Sequence, residues 1–282
     1  MHTGSVRCLN AAGFHQMTYR EWGSADNDRV LVCVHGLARN SRDFDDLALA
    51  LSRDYRVVCP DIVGRGSSDW LPSGQPYGIP QYMSDMTMLL ARLNVDQVDW
   101  VGTSMGGIIG MCMAALPNSP IKHLVLNDIG GFVSADSLQR ISGYLGDKRF
   151  TSLADAEDYM RTTYVALRNI TDEQWRHLAK HGTRQLESGE FALHYDPVIA
   201  ETTSENSHQD VDLWPVWGAL QIPQLLIWGE ASDVLEEQTV RRMQENDKLD
   251  LYSLPEIEHA PSLMEPDQIH FIQNWLREHR NK

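Results

Sequence analysis

The sequence predicts an α/β protein with a mostly parallel central sheet and helices packed on its faces. Short, continuously apolar segments recur along the chain, which is typical of strands buried on both faces of a sheet. Segments with apolar residues at helical spacing lie between them. This alternation indicates βαβ units with right-handed crossovers. The length of 282 residues suits one large domain, or one domain carrying an insertion.

Most predicted strands are short apolar runs that end at turn residues. The run Val30–Val34 contains five apolar residues in succession and ends at His35-Gly36. A second run ends at Pro60-Asp61, and a third ends just before Ser104. In chain order, strands are predicted at 15–22, 30–34, 55–59, 97–101, 121–128, 224–228 and 250–254.

The predicted helices carry apolar residues on one face. In the first of them, Phe44, Leu47 and Leu51 share a face, as the 3.6-residue period requires. The last has Ile269, Ile272 and Leu276 directed inward. In chain order, helices are predicted at 43–51, 80–93, 108–116, 236–246 and 267–279.

The alternation stops between Gly131 and Pro215. This stretch predicts several helices and no clear strand, and Thr171-x-x-Gln174 has the pattern of a capping box. Insertions of this kind commonly become lids. We therefore predict a core domain formed by residues 1–130 and 216–282, and a helical lid at residues 131–215.

Composition excludes several classes of partner. The formal net charge is −15, so a basic footprint for nucleic acid is absent and an anionic membrane surface would repel the chain.

The four cysteines have no CxxC spacing, which indicates reduced thiols rather than a zinc site or a disulfide framework. No signal peptide or membrane span is predicted, so we expect a cytoplasmic protein without a cofactor or metal.

The motif Gly102-x-Ser104-x-Gly106 stands where a buried strand turns into a helix. This is the context of a nucleophile elbow. Glycines allow neighbouring segments to approach closely, while the strained turn exposes the Ser104 hydroxyl. The following helix directs free N–H groups and its positive end at the same position.

A serine nucleophile needs a base, and that base needs a carboxylate to orient it. Asp233 and His259 each follow the end of a predicted strand, at the sheet edge where α/β proteins bind ligands. The chain order Ser104, Asp233, His259 is that of an α/β-hydrolase. Asp128 and Glu230 remain alternatives for the carboxylate, because Asp128 ends the strand at 121–128 and Glu230 lies in the same segment as Asp233.

Four motifs in order give the chain a resemblance to the α/β-hydrolase fold superfamily, in its lidded esterase, lactonase and C–C hydrolase group. They are His35-Gly36, Asp61-x-x-Gly64-x-Gly66-x-Ser68, Gly102-x-Ser104-x-Gly106-Gly107, and the late Asp233 and His259. The resemblance extends over residues 15–280. Two positions depart from the family pattern, since Glu258 replaces the usual glycine before His259 and Asp233 lies one residue later than is common.

The resemblance implies specific roles. It implies Ser104 as nucleophile, His259 as base and Asp233 as the orienting acid, with an oxyanion hole formed by the backbone N–H groups of Leu37 and Met105. Glu258 either raises the pKa of His259 or points into solvent, and we favour solvent.

The predicted function is hydrolysis of small to medium neutral carboxylic esters through an acyl-enzyme. Acidic residues outnumber basic ones between positions 132 and 213, so an anionic substrate would cross an unfavourable field. The alternatives are a C–C hydrolase of ring-cleavage products, an enol-lactonase and a cofactor-free perhydrolase. The expected partner is a small-molecule ester.

Overall fold

An eight-stranded sheet forms the centre of the computed structural model, which describes residues 1–280. Within the described residues the strands are β1 (His2–Asn10), β2 (Gly13–Trp22), β3 (Val30–Val34), β4 (Arg56–Pro60), β5 (Val98–Thr103), β6 (Ile121–Asn127), β7 (Phe132–Val133), β8 (Arg149–Phe150), β9 (Thr183–Gln185), β10 (Phe191–Leu193), β11 (Val211–Asp212), β12 (Gln224–Gly229) and β13 (Leu249–Leu254). The order across the large sheet is β1-β2-β4-β3-β5-β6-β12-β13. From β4 to β13 all neighbours are parallel, as predicted.

Helices cover both faces of the sheet. They are α1 (Asp45–Leu51), α2 (Ile79–Leu93), α3 (Met105–Ala114), α4 (Ala135–Tyr144), α5 (Leu153–Thr163), α6 (Asp172–Gly182), α7 (Val198–Asn206), α8 (Trp214–Trp217), α9 (Glu237–Met243) and α10 (Pro266–Glu278), with short 3₁₀ segments at Ser41–Phe44 and Val165–Leu167. No helix within residues 1–280 is long and apolar enough to cross a membrane.

The central strands explain why their sequences are continuously apolar. All five residues of β3 are buried, and they alternate between two cores. Val32 joins the cluster on one face of the sheet, whereas Leu31 and Cys33 join the cluster on the other face with helices α1 and α10. Because successive side chains point to opposite faces, a strand covered on both sides needs an apolar residue at every position.

The sequence did not predict β1. This strand pairs antiparallel with β2 at the edge of the sheet, with His2 opposite Glu21 and Asn10 opposite Gly13. Only Val6 and Cys8 of β1 are buried. An edge strand with one covered face carries too few apolar residues to give a strong pattern.

The chain between β6 and β12 contains the helices α4 to α8, but the expectation that it contains no clear strand is wrong. Strands β8, β10 and β9 form a three-stranded sheet, and β7 pairs with β11 where the insertion leaves and rejoins the core. Strands of two or three residues are too short to show a periodicity. Helix α6 begins with the predicted capping box of Thr171 and Gln174.

Candidate active site

Ser104 occupies the turn between β5 and α3, with φ of 50° and ψ of −115°. The two glycines of the motif make this turn possible. A Cβ on Gly102 would lie 2.3 Å from the carbonyl oxygen of Gly106, and one on Gly106 would lie 2.0 Å from that of Val34. Backbone atoms at these distances leave no room for a side chain, so the strained turn requires glycine at both positions.

His259 lies between two polar side chains. Its Nε2 is 3.0 Å from Oγ of Ser104, and its Nδ1 is 2.7 Å from Oδ2 of Asp128. The imidazole is 8% exposed and the Asp128 carboxylate is fully buried. A carboxylate on Nδ1 keeps the proton there and leaves Nε2 free to accept a proton from the serine hydroxyl.

Asp128 follows β6 and has a left-handed backbone conformation with φ of 56°. Its N–H donates to the carbonyl of Ile227. Its Oδ1 accepts from the N–H of Gly229 at 2.9 Å, and its Oδ2 accepts from the Ser232 hydroxyl at 2.6 Å. The carboxylate is therefore fixed by the loop after β12 while it faces His259. No role for Ser232 was predicted from the sequence.

The expectation that Asp233 contacts His259 is wrong. The Asp233 carboxylate forms a bidentate ion pair with Arg140 of α4, and both side chains are about half exposed. The N–H of Ser232 donates to the carbonyl of Gly229, and this tight turn points Ser232 inward and Asp233 toward the helical insertion. Glu230 is exposed and also makes no contact with His259 within the described chain.

The residues predicted to form an oxyanion hole lie beside Ser104. Leu37 and Ser104 line the same two cavities, and a Cβ on Gly36 would lie 3.8 Å from Cβ of Ser104. Met105 is the first residue of α3. Among residues 1–280, the N–H groups of Leu37 and Met105 have no recorded hydrogen-bond acceptor. Both donors are thus available to a bound group, and their role stays a prediction.

His35 supports this loop from within the core. Its Nδ1 donates to the carbonyl of Gly36 at 2.7 Å, and its Nε2 accepts from the N–H of Ile62 at 3.0 Å. Complete burial lowers the pKa of His35 to about 4. A neutral imidazole therefore joins the Gly36 turn to the segment after β4.

Two cavities meet at Ser104, and the insertion contributes walls to both. The smaller, of about 110 Å³, also contains His259 and the Arg39–Asp43 ion pair. The larger, of about 250 Å³, is lined mainly by apolar and hydroxyl side chains and by no Asp, Glu, Lys, Arg or His. Its walls include Ile79, Met105, Ile108, Ile129, Leu138, Ile141, Ile199, Thr202 and Val234.

One group of residues outside this site has the composition of a metal site. Ligand atoms of Cys8, His15 and Asp85 lie within 4.8 Å of one another and are buried. Nε2 of His15 is already 2.9 Å from Oδ2 of Asp85, and burial raises the pKa of the Cys8 thiol to about 12. A buried hydrogen-bonded pair next to a neutral thiol accounts for this cluster. The four cysteines are all free.

The elbow, the histidine between a serine and a buried carboxylate, and the parallel sheet define the class of protein. The α/β hydrolase fold model matches residues 29–266, so the chain belongs to the α/β hydrolase fold family. It is similar over nearly its whole length to the 3-hydroxybutyrate-oligomer hydrolase of Cupriavidus necator, with 44% identity over 279 residues that cover 94% of each chain.

Solved structures agree with this family. An α/β hydrolase from Novosphingobium aromaticivorans has a TM-score of 0.86 and 35% identity, covering 98% of each chain. A proposed hydrolase from Rickettsia typhi has a TM-score of 0.91 and 32% identity, covering 99% of each chain. The fold and these relatives together support hydrolase activity for this chain.

Proposed function

We propose that this protein is a serine hydrolase that cleaves carboxylic esters through an acyl-enzyme. The observation that carries the proposal is the continuous contact from Ser104 through His259 to the buried carboxylate of Asp128. This order of nucleophile, base and orienting acid matches the requirements of acyl transfer. The full-length similarity to an oligomer hydrolase supports the same reaction class.

In the proposed reaction, Nε2 of His259 takes the proton of Ser104 as its Oγ attacks the ester carbonyl carbon. The carbonyl oxygen becomes an oxyanion that accepts hydrogen bonds from the N–H groups of Leu37 and Met105, each worth about 3 kcal/mol in the transition state. The C–O bond to the alcohol then breaks, and His259 returns its proton to the leaving alkoxide. Water, activated by His259, hydrolyses the acyl-Ser104 ester and restores the enzyme.

We infer that Asp128 stabilises the imidazolium that forms in each half of this reaction. Its buried carboxylate contacts Nδ1 of His259, and its hydrogen bonds to Gly229 and Ser232 hold it at that position. The Asp128 carboxylate thus orients His259 and stabilises its positive charge, and it keeps its own negative charge throughout the reaction.

The cavities favour an ester whose acyl and alcohol parts are both uncharged near the scissile bond. The larger cavity has no ionic side chain, and the Arg39 guanidinium in the smaller one is already paired with both oxygens of Asp43. A carboxylate buried in either cavity would have no free counter-charge. Two cavities that meet at Ser104 also suit a substrate that extends to both sides of the ester.

These features lead us to propose oligomeric esters of short hydroxy acids as the substrate class, in agreement with the name of the relative from Cupriavidus necator. The internal ester units of such an oligomer are neutral, and its carboxylate lies at one end only. We therefore expect a methyl-esterified 3-hydroxybutyrate trimer to be hydrolysed faster than the free acid.

We further propose that residues 131–215 act as a lid that selects the substrate. The side chains of Ile141, Tyr144, Tyr164 and Ile199 come from this insertion and line the two cavities, while Ser104, Asp128 and His259 lie outside it. The insertion would then shape the space around the ester without supplying the reacting groups.

The proposal is tested by labelling and turnover together. A fluorophosphonate probe should label the wild-type protein and not Ser104→Ala, and hydrolysis of aryl esters should fall by at least about 10³-fold in that variant. Ser73→Ala, which changes an exposed serine in a turn, is the matched control and should behave like the wild type. Unchanged labelling of Ser104→Ala would refute the assignment.

The substrate class is tested with a panel. It contains aryl esters of increasing acyl length, the 3-hydroxybutyrate trimer as acid and methyl ester, and a ring-cleavage dienoate. We expect the neutral esters and the methyl-esterified trimer to have the highest kcat/KM. A clear preference for the dienoate would instead identify a C–C hydrolase.

A further inference from the structure

Arg65 is a fully buried cation in the loop after β4. Within residues 1–280, no carboxylate lies within 4.0 Å of its guanidinium, in contrast to most other buried or half-buried arginines, such as Arg20 with Asp61 and Arg39 with Asp43. Removing a charge from water without a counter-charge is unfavourable. Packing alone therefore does not explain why Arg65 is buried without a counter-charge.

The contacts of Arg65 converge on the predicted oxyanion hole. Its Nε donates to the carbonyl of Leu37 at 2.9 Å, and its Nη2 lies 3.6 Å from Sδ of Met105. Leu37 and Met105 are the two residues whose N–H groups are predicted to bind the oxyanion. One guanidinium thus contacts both of these residues.

The remaining contacts solvate the charge without neutralising it. Nη1 donates to the carbonyl of Val63 and to the hydroxyl of Tyr82, both at 2.9 Å. The ring centroids of Tyr82 and Tyr77 lie 5.0 and 5.7 Å from the guanidinium carbon. Carbonyl dipoles and aromatic faces stabilise a cation in place of water, but they leave its net charge in the protein interior.

We propose that Arg65 is a positioning residue of the oxyanion hole, and that its charge is complemented only when the tetrahedral oxyanion forms on Ser104. This inference rests on the proposed function. In the resting protein the positive charge lacks a partner, and in the transition state a negative charge arises beside Leu37 and Met105. An interaction that strengthens only in the transition state raises kcat and leaves substrate affinity nearly unchanged.

The experiment compares Arg65→Met and Arg65→Lys with the wild type, using a neutral aryl ester and an alkyl trifluoromethyl ketone. The ketone forms an anionic hemiketal with the active serine and so reports on oxyanion binding. In Arg65→Met we expect kcat to fall by about 10²-fold and the inhibition constant of the ketone to rise by a similar factor. KM should change by less than about threefold, and Arg65→Lys should recover part of both losses.

A purely structural role for Arg65 would give a different result. If Arg65→Met lowers the melting temperature and kcat but leaves the inhibition constant of the ketone at its wild-type value, the proposal is wrong. An equal rise in KM and in that inhibition constant would also overturn the proposal. Arg65 would then stabilise the bound substrate and the transition state equally. Labelling of the wild type and of Ser104→Ala by a fluorophosphonate tests the proposed function separately.

A second variant keeps the proposal testable if Arg65→Met does not fold. Tyr82→Phe retains the aromatic ring but removes one hydroxyl that accepts from Arg65. We expect kcat to fall by several-fold with KM unchanged. Tyr55→Phe is the matched control, since it removes a buried tyrosine hydroxyl that contacts Asp99 and not Arg65. Equal kcat values for the two variants would contradict the proposal.

Discussion

Oδ2 of Asp128 lies 2.7 Å from Nδ1 of His259, although 131 residues separate them in the chain. Strands β6 and β12 are neighbours in the sheet, and the loops that follow them meet at its carboxyl edge. Asp128 enters this edge from β6 and is held there by Gly229 and Ser232 of the β12 loop. The contacts among Ser104, His259 and Asp128 therefore join segments that follow three separate strands, β5, β13 and β6.

Asp128 and Asp233 can be distinguished by paired substitutions. Asp128→Asn should lower kcat by about 10⁴-fold, because an amide favours the wrong tautomer of His259. Asp233→Asn should change kcat/KM by less than about fivefold, because its carboxylate contacts Arg140 and Nδ1 of His259 contacts Asp128 instead. Steady-state kinetics on one aryl ester measures both variants. A larger loss of kcat in Asp233→Asn than in Asp128→Asn would assign the orienting acid to Asp233.

The Arg140–Asp233 pair should hold α4 against the core. It joins the insertion to the loop after β12, and the Ser137 hydroxyl also donates to the Asp233 carbonyl. Asp233→Asn should increase hydrogen exchange across residues 135–144, and added salt should have a similar effect on the wild type. The exposed Asp147–Arg149 pair lies within the insertion, so Asp147→Asn is the control. Equal exchange in both variants would exclude a tether.

Glu258 should not contribute to the pH dependence of activity. Its carboxylate has no hydrogen bond or ion pair recorded within residues 1–280, while both nitrogens of His259 already face Ser104 and Asp128. The profile of kcat/KM against pH in Glu258→Gln should superimpose on that of the wild type. A displaced acid limb would show that Glu258 couples to His259.

Acid should destabilise the fold through buried neutral histidines. Burial lowers the pKa of His35 to about 4 and that of His181 to about 3, below the usual value of about 6.5 in an unfolded chain. Between these values the unfolded chain binds more protons, so the free energy of unfolding falls as pH decreases from about 6.5 toward 4. Each group contributes at most about 1.4 kcal/mol per pH unit.

Urea denaturation at a series of pH values measures this slope. His35→Gln should reduce the slope even though it also lowers stability at neutral pH, because the substituted side chain no longer titrates. His208→Gln changes an exposed histidine and should retain the wild-type slope. An identical slope in His35→Gln would show that His35 does not carry the effect.

The elbow should tolerate no side chain at position 106. Gly106→Ala would place its Cβ 2.0 Å from the carbonyl oxygen of Val34, and a clash with buried backbone cannot be relieved by a rotamer change. We expect a loss of at least about 3 kcal/mol in the free energy of unfolding, or no soluble protein. Gly143→Ala, in α4, meets no atom within 4 Å and should raise stability by up to about 1 kcal/mol. Thermal denaturation compares the two.

Much of the fold, and two of the three residues in the contacts from Ser104 through His259 to Asp128, could be predicted from sequence. The buried strands of the parallel sheet are mostly apolar, and this pattern is strong enough to place β3, β4, β5 and β12. Ser104 and His259 both follow the ends of predicted strands. The context of Ser104 is recognisable because the elbow can form only with glycines at 102 and 106. The short strands of the insertion and the edge strand β1 lack such a signal.

Only the tertiary structure shows that Asp128, and not Asp233, contacts His259. Both follow neighbouring strands at the same sheet edge, so spacing and chain order allow either to reach His259. A left-handed backbone at Asp128 turns its carboxylate toward the histidine, whereas the turn from Gly229 to Ser232 points Asp233 at Arg140. The position of Arg65 also depends on the fold, which buries its guanidinium beside Leu37 and Met105 with no carboxylate of residues 1–280 within 4.0 Å. Sequence determines which residues arrive at the edge of the sheet, and the conformation of individual loop residues determines which of them touch.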